Sequence, residues 1–122
     1  MNEAETRAEI IDPKLTACGW GVVDGSKVLR EYNITAGRIK VGEKRGKPMI
    51  ADYVLVYKGV KLAVIEAKSV KLDVSEGVAQ AKQYALKLGI RSTYATNGKD
   101  IYEIDTINAT EGSVGNFMSP DE

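Results

Sequence analysis

Charged side chains interrupt a stretch of the sequence whose composition otherwise predicts a buried β-hairpin. Residues 51–68 are rich in Val, Ile, Leu, Ala and Tyr, and a Lys-Gly pair near the centre predicts the turn. Asp52 lies in the first arm, and Glu66 and Lys68 close the second. Burial of charge costs free energy that an ordinary strand avoids, and a bound cation would offset that cost. The three side chains therefore predict a divalent metal site.

The length of the hairpin loop decides whether Asp52 and Glu66 can meet. Side chains alternate across a strand, so a two-residue loop followed by regular pairing would place these carboxylates on opposite faces. A three-residue loop at residues 57–59, with its final glycine left-handed, pairs Val56 with Val60 and places both on one face. We therefore expect the three-residue loop.

Composition favours one globular domain. The chain has 122 residues, of which 43% are hydrophobic, and we expect a domain over residues 1–107 with a flexible, polar tail over 108–122. No apolar run approaches the ~20 residues that span a bilayer, and the N-terminal residues do not resemble a signal peptide. We expect a cytoplasmic protein that does not bind membranes. The single cysteine, Cys18, agrees with a reducing compartment.

The absence of histidine restricts the chemistry. It excludes catalytic systems that depend on His, as well as Cys/His zinc sites, so hydrolysis would rely on carboxylates, lysine and a hard metal ion. The formal net charge is zero, so overall charge does not indicate a polyanion partner. One segment before the hairpin is nevertheless basic, and it is either a phosphate-contacting loop or solvated surface: Arg38, Lys40, Lys44, Arg45 and Lys47.

Periodicity predicts the elements around the hairpin. A helix is expected over Glu3–Cys18, with Asn2 as N-cap, Gly19 as its end and an interruption near Pro13. Glu9 on this helix is either solvated or reaches the metal. A second helix is expected over 73–88, and strands over 28–34, 90–96 and 101–105. Together these predict an α/β fold with a mixed sheet of four to five strands flanked by helices.

The order of the charged elements resembles a known nuclease pattern. Asp52, then Glu66-Ala67-Lys68, then Gln80-x-x-x-Tyr84 is similar to the PD-(D/E)XK motif with the Q-x-x-x-Y element of RecB-like nucleases. Ala51 stands where the wider superfamily has proline, and no G-x-x-x-x-G-K-[ST] phosphate loop occurs in these residues. Flanking segments look like the N-terminal nuclease domain of the type I restriction enzyme R (restriction) subunit: Glu5-Thr6-Arg7, Gly19-Trp20, Ala51-Asp52-Tyr53, Ile65-Glu66-Ala67-Lys68 and Thr96-Asn97-Gly98.

The resemblance implies a restriction-endonuclease-like core that cleaves DNA. Asp52, Glu66 and the Ala67 carbonyl would bind Mg²⁺, with Mn²⁺ as a substitute, and Lys68 would orient water or stabilise the transition state. Gln80 and Tyr84 would hold DNA or the lysine amine. The implied partners are double-stranded DNA and the specificity and methyltransferase subunits of a restriction complex. ATP would be needed only by an attached motor domain.

Two other interpretations of the same residues remain. The chain could be a catalytically idle DNA-binding or assembly module that retains the pocket. It could also be a structural domain in which Glu66 and Lys68 pair as neighbours on a strand edge. Cleavage of DNA that depends on Mg²⁺ and on Asp52 would distinguish the nuclease interpretation from these two.

Overall fold

The architecture is a six-stranded mixed sheet with helices on both faces. The computed structural model describes residues 2–33, 50–68 and 77–120. Neighbouring strands follow chain order, and all pairs are antiparallel except β3 with β4. The α/β fold class is confirmed, with more strands than expected. The strands are β1 (Ser26–Asn33), β2 (Ile50–Tyr57), β3 (Val60–Ala67), β4 (Ser92–Thr96), β5 (Ile101–Asp105) and β6 (Thr110–Val114).

Four helical segments accompany the described strands. They are α1 (Glu3–Thr6), a π-helical segment (Arg7–Ile11), α2 (Asp12–Ala17) and α3 (Val78–Leu88). The predicted start of the second helix, residues 73–76, lies outside the described residues, and its end is confirmed by a left-handed glycine directly after Leu88. None of the helices in the described residues is long and apolar enough to cross a membrane.

The N-terminal helix matches the prediction at its ends and differs in the middle. The Asn2 side chain accepts a 2.8 Å hydrogen bond from the N–H three residues later, which confirms the N-cap. The helix ends before Gly19, whose φ is +105°. Pro13 lies in the first turn of α2, directly after the π-helical segment. The interruption is the π-helical segment just before it, closed by a bond from the Asp12 N–H to the Arg7 carbonyl.

Alternation along the strands creates two cores. Ile11 and Leu15 of the N-terminal helix pack with Tyr53, Ile65 and other buried residues on one face of the sheet. On the other face, α3 packs against β3 and β4, and its Tyr84 joins the cluster of Ala51, Val54, Val56, Val64 and Ile90. Val54 and Val56 of β2 and Val64 of β3 therefore face α3, and Ala51 joins them where the alternation along β2 is interrupted.

The hairpin between β2 and β3 forms differently from the prediction. Lys58 and Gly59 have φ values of +50° and +79°, so the turn has two left-handed residues, and Tyr57 pairs with Val60. The prediction of a three-residue loop was wrong. A β-bulge then adds one residue, Leu62, to β3, so that pairing resumes with Leu55 opposite Ala63.

The bulge compensates for the two-residue turn, which with regular pairing would not have placed Asp52 opposite Glu66. Beyond the bulge, Tyr53 pairs with Ile65, and continuing that register by one pair places Asp52 opposite Glu66. The two carboxylates are thus brought to adjacent positions by a bulge in β3 and not by a longer loop.

Residues 110–118, which the sequence assigned to a tail, pair and pack with the sheet. Strand β6 pairs with β5 along its whole length, and Phe117 is buried with its ring 5.2 Å from that of Tyr94 at an angle of 80°. The Trp20 indole N–H donates to the Met118 carbonyl at 2.7 Å. The polar composition was misleading, because edge-strand pairing uses the backbone and a single aromatic side chain anchors the segment.

Phe117→Leu is expected to lower the free energy of unfolding by about 1 kcal/mol, because it removes the edge-to-face contact while keeping an apolar side chain. The midpoint of thermal unfolding should fall by about 4 °C or more. Ile107→Ala is the matched control, because Ile107 is 71% exposed. Equal melting temperatures for the wild-type protein and the Phe117 variant would show that the C-terminal segment does not stabilise the domain.

Candidate active site

Asp52 and Glu66 converge at adjacent positions of β2 and β3. The Ala67 N–H donates a 2.8 Å hydrogen bond to Asp52 Oδ2, and the Asp52 N–H lies 3.4 Å from Glu66 Oε1. Each carboxylate is thus held by a backbone N–H of the other's strand. Glu66 is almost fully buried, at 2% exposure. The predicted pairing of the two carboxylates is observed.

Burial controls the charge state of this pair. Loss of water around Glu66 and the nearby negative charge of Asp52 raise the pKa of Glu66 to about 9, while the positive charge of Lys68 acts in the opposite direction. Glu66 therefore retains a proton at neutral pH when no cation is bound. The two carboxylates cannot both be ionised without a counter-charge, and a divalent cation bound to them would stabilise the ionised pair.

Lys68 follows β3 and is positioned by its neighbours. Its N–H donates to the Thr96 carbonyl at 2.8 Å, so the parallel β3–β4 pairing continues to this residue. Its side chain passes Gly77 at the start of α3. A β-carbon at Gly77 would lie 3.5 Å from Lys68 Cγ and 3.6 Å from the β-carbon of Ala95. Gly77 therefore leaves the space through which the lysine stem passes.

Gln80 and Tyr84 lie one helical turn apart on α3, above the same face of the sheet. Gln80 Nε2 donates to the Tyr84 hydroxyl at 2.6 Å, and Tyr84 is buried in the cluster that contains Val64. The structure thus joins the two residues to each other beside the carboxylate face. Their contact with DNA or with the Lys68 amine stays a prediction.

The structure does not bring Glu9 to the carboxylate pair. Glu9 is exposed on the π-helical segment. Within residues 2–33, 50–68 and 77–120, no three His, Cys, Asp or Glu side chains cluster to hold a metal. Asp52 and Glu66 alone still fit Mg²⁺, because this ion is commonly held by one or two carboxylates together with water and phosphate oxygens.

Two charged residues near Asp52 were given no role by the sequence. Arg7 extends from the π-helical segment, with Nη1 3.5 Å from Asp52 Oδ1 and Nη2 3.7 Å from Glu31 Oε1. Glu31 lies on β1 at the position opposite Asp52, where the ladder is interrupted, and its φ is +51°. Non-glycine residues with positive φ are uncommon and often mark functional sites. Neither the side-chain direction of Arg7 nor the backbone of Glu31 follows from periodicity.

The predicted basic DNA-contacting segment cannot be placed relative to this site. Its five residues fall within positions 38–47, which lie outside the described residues. The described part of β1 ends at Asn33, and β2 begins at Ile50, two positions before Asp52. In the sequence this segment precedes the strand that carries Asp52, and its contact with phosphate stays a prediction.

Comparison with known proteins identifies the family. Residues 30–120 match the sequence model of a family described as the type I restriction enzyme EcoKI endonuclease subunit second domain. The chain belongs to this endonuclease subunit family. It is also 31% identical, over its whole length, to the type I restriction enzyme EcoAI endonuclease subunit of Escherichia coli, of which the match covers 16%. The sequence resemblance to restriction subunits is thus confirmed.

A solved structure supports the same relationship. The chain superposes with a TM-score of 0.89 on a solved fragment of an HsdR subunit of a type I restriction enzyme from Vibrio vulnificus YJ016, with 36% identity. The match covers the whole of this chain and 24% of that one. The chain therefore corresponds to a small part of each relative's length.

Proposed function

We propose that this chain is a Mg²⁺-dependent endodeoxyribonuclease domain that cleaves DNA phosphodiester bonds, as part of the restriction subunit of a type I enzyme. The observation that supports this most directly is the convergence of Asp52 and Glu66, with Lys68 beside them, in a member of this family. Two opposed carboxylates and one lysine, without histidine, suit metal-assisted hydrolysis.

The proposed roles are those that the family resemblance implies for these residues. Asp52, Glu66 and the Ala67 carbonyl would hold Mg²⁺ or Mn²⁺, which when bound would activate water and neutralise charge on the phosphate. Glu66 would release its proton as it becomes a ligand. Lys68, whose stem is fixed between Gly77 and β3, would donate a hydrogen bond to the attacking water or a phosphate oxygen. Gln80 and Tyr84 would hold DNA or the amine of Lys68 from α3.

Relatives of the family supply the context for partners. Their names describe endonuclease subunits of restriction enzymes, so we propose double-stranded DNA as the substrate and specificity and methyltransferase subunits as partners. An ATP-driven motor would act only where one is joined to this domain. The proposed phosphate contacts are the five basic residues before β2: Arg38, Lys40, Lys44, Arg45 and Lys47.

Nicking of supercoiled plasmid by the 122-residue chain tests the proposal. The reaction would contain low salt, excess protein and either Mg²⁺, Mn²⁺ or EDTA, and relaxed DNA would be quantified over time. We expect slow nicking with either metal and none with EDTA. Tight DNA binding without nicking, even in Mn²⁺, would instead favour an idle binding module.

DNA affinity of this chain should be low and should fall steeply with salt. The formal net charge is zero, and five clustered cations would release at most about five counterions. Neutralising the five basic residues together should flatten the dependence of affinity on salt, measured by fluorescence anisotropy with a labelled duplex. Mn²⁺ binding at Asp52 and Glu66 should not change. Tight, salt-insensitive binding of DNA by the chain would contradict this assignment.

Gly77→Val is expected to slow nicking by about 10- to 100-fold, because its extra methyl groups would displace the Lys68 stem and misplace the amine. Gly77→Ala is the matched control: its single β-carbon would make ordinary contacts of 3.5 Å and 3.6 Å with the neighbouring side chains. Initial nicking rates in Mn²⁺, with thermal unfolding to verify the fold, would be compared. Equal rates for the two variants would show that Gly77 does not position Lys68.

A further inference from the structure

The Arg7 guanidinium lies beside the Asp52 carboxylate, so its positive charge would compete with that of a metal ion bound there. The guanidinium lies between Asp52 and Glu31, at 3.5 Å and 3.7 Å. Both distances exceed the 2.7–2.9 Å of a tight charge-assisted hydrogen bond. Arg7 is therefore a counter-ion of Asp52 in the metal-free site, held by charge and not by close hydrogen bonds.

The opposed charges make Arg7 and a divalent cation competitors. Asp52 Oδ2 accepts a hydrogen bond from the Ala67 N–H, and Oδ1 faces Arg7. A divalent ion bound to Asp52 would weaken the attraction of the guanidinium and repel it directly. Glu31 remains as a partner on the other side, and its side chain is 71% exposed.

A cavity of about 350 Å³ opens beside Arg7, and its charged lining consists of two arginines and two carboxylates: Arg7, Arg30, Asp12 and Glu31. Arg30 lies over the Tyr53 ring and contacts Asp12 at 3.4 Å. The planar guanidinium of arginine matches the oxygens of a phosphate group. A phosphodiester of DNA bound near Asp52 would thus find Arg7 within reach.

We propose that Arg7 is a positioning residue that couples metal binding to DNA binding: it neutralises Asp52 in the metal-free site and transfers to a DNA phosphate when a divalent cation takes Asp52. The coupling is reciprocal, because whatever removes Arg7 from Asp52 favours the metal, and the bound metal makes Arg7 available to phosphate. This inference rests on the proposed function, since it assumes that Asp52 is a metal ligand.

Mn²⁺ titration of the chain without DNA, followed by electron paramagnetic resonance, tests the competition. Arg7→Gln should bind Mn²⁺ about two- to fivefold more tightly than the wild-type protein, the range expected for a partly exposed ion pair. Arg30→Gln is the matched control, because it lines the same cavity but contacts Asp12, and its Mn²⁺ affinity should equal that of the wild type. Asp52→Asn should lose Mn²⁺ binding.

DNA affinity with and without metal tests the transfer to phosphate. The fluorescence anisotropy of a labelled phosphorothioate duplex would be measured in Mg²⁺ and in EDTA. Because Asp52→Asn should not bind the metal, the change in its DNA affinity would report the general effect of Mg²⁺ on DNA charge. Mg²⁺ should strengthen wild-type binding severalfold relative to Asp52→Asn. In Arg7→Gln, at least half of that extra strengthening should be lost.

The outcomes separate this inference from the proposed function. Equal Mn²⁺ binding by the wild-type protein and Asp52→Asn would remove the metal site, and the proposed function with it. If Asp52→Asn loses Mn²⁺ but Arg7→Gln binds it no more tightly than the wild type, only the role of Arg7 is overturned. Should Arg7→Gln fail to fold, Glu31→Gln would be measured instead. This variant removes the Glu31 carboxylate from Arg7, so the guanidinium would stay on Asp52 and weaken Mn²⁺ binding two- to threefold. Unchanged affinity in that variant would also overturn the coupling.

Discussion

Asp52→Asn is expected to reduce metal-dependent DNA nicking to the rate seen in EDTA, a loss of about 1000-fold or more. The substitution keeps the size of the side chain and its place opposite Glu66, but removes the charge that would hold the cation. Metal ions supply several kcal/mol of transition-state stabilisation, and each 1.4 kcal/mol is about tenfold in rate. Rates would be measured on supercoiled plasmid in Mn²⁺.

Asp105→Asn is the matched control for this experiment. The Asp105 carboxylate accepts hydrogen bonds of 3.0 Å and 2.9 Å from Arg91 and lies at the end of β5, outside the carboxylate pair. Its loss should leave nicking unchanged. Thermal unfolding without metal should show that Asp52→Asn is folded. Nicking by Asp52→Asn at the wild-type rate would show that this carboxylate is not a metal ligand.

Glu66→Gln is expected to stabilise the metal-free domain at pH 8 by about 2 kcal/mol or more, and to change stability little at pH 5. The pKa of Glu66 is about 9 in the folded protein, above its ordinary value of 4.5, so folding favours the protonated form. The free energy that protonated Glu66 contributes to folding is fully present below pH 4.5 and is lost as the pH rises through 9. Glutamine has a similar shape and no charge to bury, so it avoids this loss.

Urea unfolding in EDTA at both pH values would measure the difference. Glu9→Gln is the control, because that side chain is exposed and its effect should not depend on pH in this way. Adding Mg²⁺ at pH 8 should stabilise the wild-type protein and not Glu66→Gln, since only the native wild-type site binds the ion. A difference between wild type and Glu66→Gln that stays constant from pH 5 to pH 8 would contradict the raised pKa.

The sequence predicted the residues of the pair better than the backbone that joins them. Glu66 and Asp52 were found because charges within apolar strands carry a cost that composition makes visible. The bulge at Leu62 was missed, because an extra residue in one strand leaves no mark in an alternating apolar pattern. The meeting of the two carboxylates was thus predicted from an incorrect loop.

Other features depend on contacts that no local pattern encodes. The π-helical segment that directs Arg7 toward Asp52 was not predicted, although a disturbance near Pro13 was. Strand β6 was missed because its residues are polar, and its order depends on pairing with β5 and on the distant contact between Phe117 and Tyr94. The cap at Asn2 was predicted correctly, because capping involves residues only three apart.

The bulge in β3 also bears on how this hairpin can change length during evolution. A chain that lacked one residue near Leu62 would form an uninterrupted ladder from the same two-residue turn, and Asp52 would still face the same glutamate. A single deletion there removes only the irregularity, whereas a deletion in an unbulged hairpin would separate the two carboxylates. Homologues with an Asp-to-Glu spacing one residue shorter can therefore keep the site, and searches for it should not fix that spacing.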